Sequence, residues 1–334
     1  MVLPFILGAA AIGAGLTGIK NGIDAVSDNS EAKQLQEDAW KRYERREHRR
    51  QDLRQTTNES LEQLGILKLN VWDKQLGRFV QLFEQLKNVE LTGQANIDGL
   101  NPTKFTKEEL RQMKNLSLKA QEVMLGGTGA LGSGALVGMA TYGGAIMFAS
   151  ASTGTAISSL AGAAATNATL AWFGGGSLAA GGFGMAGGMV VLGGIVTGPV
   201  LAVAGMMMAS KARENLANAR KYQAEAKKAV EEMNNAISVL EAINDVTLKF
   251  DEIIQKLSLS MTPVLDNLES MIMASGTDYS LYDSAQKRQV HLVVQFAQAL
   301  KLVLETPLLT KEGAIDNQCF KALEAGKQVF LPQH

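Results

Sequence analysis

The sequence predicts an all-α protein in which long amphipathic helices form a coiled-coil-like bundle around a central Gly/Ala-rich, uncharged helical hairpin region. Three observations carry that class. Apolar residues recur at three- and four-residue steps over long stretches, with no strand-like alternation beside them. Six prolines and a low aromatic content argue against an all-β domain. Finally, residues Val123 to Ser210 contain no Asp, Glu, Lys, Arg or His, yet hold 22 of the chain's 34 glycines. Outside that stretch about a quarter of the residues are charged, as in exposed helices. Four regions follow: an apolar helix over 1–19, charged amphipathic helices over 20–122, the uncharged region over 123–210, and a long helix with a helical bundle over 211–334.

Residues Met1 to Ile19 are uncharged and end at Lys20. A secretory signal has basic residues near its start, and this stretch has only its terminal amine. Ala9-Ala10-Ala11 resembles a cleavage site, but Ala10, Ala14 and Gly18 also place small residues on one helical face, which favours a retained membrane helix or one docked on the central region. Nineteen residues reach about 28 Å, barely a span.

Lys41 to Arg54 reads KRYERREHRRQDLR, with seven basic and three acidic residues. One reading is a solvated helix face with Glu–Arg pairs around Glu47. The functional reading assigns Arg45, Arg46, Arg49 and Arg50 to anionic lipid headgroups, at about 1 kcal/mol per basic residue. Leu61, Leu64, Val71, Trp72, Leu76, Phe79, Val80, Phe83 and Leu86 then define an amphipathic helix of core-packing quality. It stops around Thr92–Gly99. Thr106 and Glu109 form a capping box for a further helix carrying Leu110, Met113 and Leu116.

Within the uncharged region three segments are long enough to span a bilayer, which takes about 20 residues. Thr128–Ala149 carries Ala130, Gly134 and Gly138 at four-residue steps after Gly126, a glycine-zipper ridge. Thr155–Phe173 is more polar and faces protein or a water-lined space. Its Asn167 is either a helix–helix hydrogen bond or a pore-lining amide; Trp172 and Tyr142 fit headgroup depth, and Trp172 equally fits the end of a helix in a packed core. Met185–Ala209, kinked at Pro199, is the most lipid-like. Gly187, Gly194 and Gly198 in it complete the candidate membrane and oligomer interface. Because Gly-rich segments gain little from lipid and much from one another, assembly of several copies is expected.

Charges return at Lys211. Ala219, Ala226, Val230, Met233, Ile237, Leu240 and Ile243, continuing through Val246, Phe250, Ile253 and Leu257 to Pro263, approximate a heptad seam about 70 Å long. Its simplest partner is the Leu61–Leu86 helix. If the two pair antiparallel they lie on one side of a membrane, and the number of crossings between them is even; that hairpin-like arrangement is expected. Shorter helices over Pro263–Ala274, Ala285–Glu305 and Asp316–Phe330 close the chain.

No catalytic constellation is found. Two GxGxxG matches, starting at Gly127 and Gly182, follow no strand and have no acidic residue about 20 positions later. His48, His291 and His334 are scattered, and with the single Cys319 they make no zinc site of familiar spacing. His291 reads as a packed or solvated helix residue and Cys319 as a buried small hydrophobe. A formal net charge of -1 gives no bias toward nucleic acid. The expectation is a protein that is not an enzyme and has no cofactor.

The strings TNATLAWFGGGSLAAGG (Thr166–Gly182) and LGAAAIGAGLTGIKNGIDA (Leu7–Ala25) resemble segments of bacterial glycine-zipper helical membrane proteins. That resemblance brings no activity with it; the expected location is a membrane, the bacterial inner membrane, with a cytoplasmic soluble form as the alternative. The layout is also similar to that of α-helical pore-forming toxins of the cytolysin and enterotoxin kind, in which an uncharged insert hides between long helices until assembly. The uncharged N-terminal stretch departs from that layout, since it suggests permanent attachment. Three readings stay open: an oligomerising effector that perturbs or permeabilises a bilayer, an anchored scaffold recruiting a partner through 211–262, and a soluble bundle with a Gly/Ala-rich core.

Overall fold

The chain is all-α in the computed structural model, which describes residues 30–89, 104–125, 136–141, 216–310 and 314–330. Helix α1 spans Ser30–Val71 and passes through a π-helical turn, Trp72–Leu76, into α2, Gly77–Phe83. Helix α3 is Lys107–Leu125, and a helical segment follows over 136–141. Helix α4 spans Leu216–Ser275, α5 Ser284–Glu305 and α6 Gln318–Gln328. No strand occurs among the described residues, only two isolated bridges.

The chain divides into two compact units, residues 1–57 with 192–242 and residues 58–191 with 243–334. In the first unit Leu53 of α1 packs with Ala236, Ile237 and Leu240 of α4. The Thr57 hydroxyl donates to the Leu240 carbonyl at 3.4 Å. The apolar periodicity is what selects these contacts: the heptad seam from Ala226 to Leu257 is buried almost throughout, with Val230 half-exposed.

In the second unit the stripe Leu61, Leu64, Val71, Trp72, Leu76, Phe79, Val80 and Phe83 is buried, as its spacing predicts. The direction of its partner is a correction. The Lys68 amine lies over Phe250, Arg78 pairs with Asp266 and Glu269, and Lys87 bonds with Thr277 and Tyr279. Residue numbers rise together along both elements, and the bridge between Lys87 and Asp278 is parallel. The α1–α2 element and α4 therefore run parallel here, not antiparallel. Heptad spacing selects the buried face and is blind to the direction of the neighbour.

Helix α4 is also longer than its sequence suggests, because it continues through Pro263. A proline removes one backbone donor and strains the preceding turn. Pro263 sits on the exposed face of α4 and Leu259, whose carbonyl loses that donor, is 73% exposed, so water can satisfy the freed group. Met261, Leu265 and Leu268 stay buried on the opposite face and hold the helix together. Gly276 then ends α4 at φ 81, a left-handed conformation that suits glycine, and its amide bonds Ile272 O at 2.9 Å. Asp283 and Gln286 start α5 with a capping box. Gln286 to Ser275 and Gln289 to Val264 fix α5 as the antiparallel return of α4. The Thr106–Glu109 capping box is formed as predicted, with N–O distances of 2.8 and 3.1 Å.

Candidate functional site

The second unit has a lysine at its centre. Lys68 follows Leu64 by four residues and precedes Trp72 by four, so helical geometry carries it into the buried stripe. It is 0% exposed, like Leu64 and Trp72 on either side. Its Nζ donates to the carbonyl of Ala140 at 3.0 Å and sits 5.6 Å from the ring centroid of Phe250. Burial pushes its pKa down to about 7, opposed by the smaller influence of Cys319. No carboxylate pairs with Lys68 among the described residues.

The acceptor belongs to the uncharged stretch. Residues 136–141 are buried throughout, and the carbonyls of Ala140 and Thr141 accept hydrogen bonds from elsewhere in the chain. Ala140 O takes the Lys68 amine, and Thr141 O takes the amides of Leu308 and Leu309 at 2.6 and 3.3 Å. One turn before Lys68, Gly65 lets the two backbones touch. A Cβ at that position would lie 2.1 Å from the carbonyl oxygen of Leu136. Any side chain there displaces backbone, not a flexible side chain.

From α6, Cys319 completes the surroundings. Its thiol donates to Pro307 O at 3.1 Å, and burial pushes its pKa up to about 11, so it is a protonated, packed group and not a nucleophile. His291 is buried on α5, bonded through Nε2 to the Tyr279 hydroxyl at 3.3 Å, and desolvation lowers its pKa. Among the described residues no group of three or more His, Cys, Asp or Glu side chains is arranged to hold a metal ion.

The residues singled out from the sequence fare unevenly. Gly138 is buried within the 136–141 segment. Gly126, Ala130, Gly134, Asn167, Trp172, Gly187, Gly194 and Gly198 lie outside the described residues. Arg45 and Arg46 are exposed on α1, and Arg49, also exposed, pairs with Glu241 at 3.1 Å. Arg50 is a correction to the headgroup reading: it is 5% exposed, and its guanidinium is turned inward onto Glu47, which also accepts from Gln51. A basic run wound on a helix cannot point all its members outward, and Arg50 falls on the face shared by Tyr43, Glu47 and Leu53. The same burial, with Glu47 beside it, pushes the Tyr43 phenol up to about 12.

Lys68 and Gly65 were not predicted as site residues. The signal for both was the i, i+4 ladder itself, which passes through a cation at Lys68. Among the described residues no helix is long and apolar enough to cross a membrane. Compared with known proteins, the chain matches no family model, and no curated protein or solved structure is significantly similar to it.

Proposed function

We propose that this chain is a non-enzymatic, membrane-inserting helical protein that keeps part of its uncharged stretch in a protein core at rest. Its glycine-lined helices assemble several copies in a bilayer and perturb or permeabilise it. One observation supports this over permanent insertion: residues 136–141, inside the Thr128–Ala149 segment, are packed on α1, and the carbonyls of Ala140 and Thr141 accept from protein donors. A segment so satisfied by protein is not facing lipid. Exposed Arg45 and Arg46 remain available to anionic headgroups. The proposed location is the bacterial inner membrane, and no nucleic-acid partner is proposed.

The test is leakage from dye-loaded vesicles, neutral and anionic, on addition of the purified full chain. Concentration-dependent release, steeper than first order, is the expected result. Absence of release and of vesicle binding at every lipid composition rejects the proposal.

A second reading, a membrane-anchored scaffold, draws on α4. Leu248 and Leu259 are 54% and 73% exposed and lie eleven residues apart, almost in line along the helix. In that case α4 recruits a protein partner, and vesicle binding occurs without dye release.

A further inference from the structure

We infer that the outward face of α1 over residues 41–49 is the surface by which the chain docks on an anionic bilayer, lying along it and held by charge. The choice of lipid rests on the proposed function; the face itself is a property of the fold. Helical winding and one buried ion pair build it. At about 100° per residue, Lys41, Arg45 and Arg49 advance by about 40° each, and Arg42 and Arg46 lie beside them, so five cations share an arc of about 140°. All five are exposed, as is His48 next to them. The rise of α1 over this stretch is about 12 Å, close to the screening length of about 10 Å at 0.1 M salt, so the five act on a charged surface as one patch.

In sequence the run looks half-neutralised, because Glu44 and Glu47 stand among the cations. The fold withdraws both from the face. Glu47, six residues after Lys41, falls almost opposite the centre of the arc. There it is 5% exposed and accepts from Arg50 Nε at 2.8 Å and from Gln51 at 2.6 Å. Glu44 is half-buried. Arg50 thus holds a carboxylate inside, and what remains outside over 41–49 is of one sign. On α1, exposed carboxylates return at Asp38 and Asp52, which bound the patch at either end. Arg49 also reaches Glu241 of α4, which leaves Lys41, Arg42, Arg45 and Arg46 as the main lipid contacts.

Anionic headgroups suit this face better than a strand of nucleic acid. Its outward side chains are long, flexible cations that gain from the diffuse potential of a charged leaflet. The one aromatic ring of the stretch, Tyr43, is buried, so the face has no platform on which bases could stack.

Co-sedimentation of the purified full chain with vesicles tests this, using phosphatidylcholine alone and phosphatidylcholine mixed with phosphatidylglycerol. Binding is expected on the mixed vesicles, to fall steeply as ionic strength rises from about 0.1 M to about 0.5 M. Arg45→Gln combined with Arg46→Gln should weaken it about thirty-fold, about fivefold for each basic residue removed. Lys74→Gln combined with Lys321→Gln, which removes the same charge from exposed positions elsewhere, should leave it within about twofold. Equal losses in the two double variants reduce the effect to net charge and overturn the face. Binding indifferent to salt and to Arg45 and Arg46 overturns docking by charge. Tighter binding of a short nucleic-acid duplex than of the mixed vesicles, at the same salt, overturns the lipid assignment. Dye release is read separately. Binding through this face without release keeps the inference and rejects permeabilisation, whereas release that ignores both lipid charge and the Arg45 and Arg46 substitutions does the reverse.

Discussion

Replacing Lys68 with methionine should stabilise the protein at neutral pH, the opposite of the usual effect of a core substitution. Methionine preserves the unbranched stem and fills an apolar site without a charge. The lysine's pKa falls from 10.5 unfolded to about 7 in the buried site. At pH 7 that shift disfavours the folded state by roughly 4 kcal/mol, taking about 1.4 kcal/mol per pH unit. Against this stands the bond to Ala140 O, at about 1 kcal/mol, lost in the variant. The net is a gain of about 3 kcal/mol at pH 7 that shrinks to about zero near pH 10, where the remaining penalty of about 1 kcal/mol only matches the lost bond. Guanidinium unfolding followed by far-UV circular dichroism across that range measures it. A variant less stable than wild type at pH 7, or a difference that does not change with pH, refutes the reasoning.

Three further perturbations address the packing. Gly65→Ala places a methyl 2.1 Å from the Leu136 carbonyl oxygen. Overpacking of about 1–3 kcal/mol should outweigh the helix-propensity gain of about 1 kcal/mol, so the variant should lose stability and show faster exchange over 136–141. Cysteines at Arg78 and Asp266, whose side chains meet at 2.6 Å, should be joined by a bismaleimide crosslinker about 10 Å long, which covers the reach of the arginine. The pair Arg78 and Lys249 should not, because seventeen residues of α4 separate the two positions by about 25 Å; efficient coupling of that second pair contradicts the parallel register. Glu47→Leu should cost about 3–5 kcal/mol in thermal or denaturant unfolding by stranding the buried Arg50 cation, and adding Arg50→Met should restore most of the loss.

How far the fold was legible in the sequence depends on what periodicity encodes. The stripe from Leu61 to Phe83 and the seam from Ala226 to Leu257 were readable because burial and helical spacing are the same signal. The caps at Thr106 and Glu109 were readable because they are local. Parallel pairing was not, since a seam has no polarity. Nor was the passage of α4 through Pro263, which depends on the tertiary contacts of Met261 and Leu265.

The candidate site was hidden for a different reason. The glycines of the uncharged stretch suggested the Ala130–Gly138 ridge, while the described glycine at which a Cβ would clash with backbone is Gly65, in the charged half. A lysine in an apolar ladder reads as an interruption of the pattern. In the structure Lys68 is the donor that ties α1 to the uncharged stretch. Arg50 shows the converse: a residue in a run of exposed-looking cations is buried by its neighbour in sequence, Glu47.

Burial of residues 136–141 at rest, followed by the proposed insertion, is most directly measured by flotation. The purified full chain is mixed with vesicles of neutral and anionic composition, floated through a sucrose gradient, and the floated fraction washed with carbonate. Protein that is monodisperse without lipid, floats with vesicles and resists the wash is the predicted result. Protein that stays at the bottom of the gradient with every composition contradicts it, and makes residues 136–141 a permanent piece of an ordinary helical core.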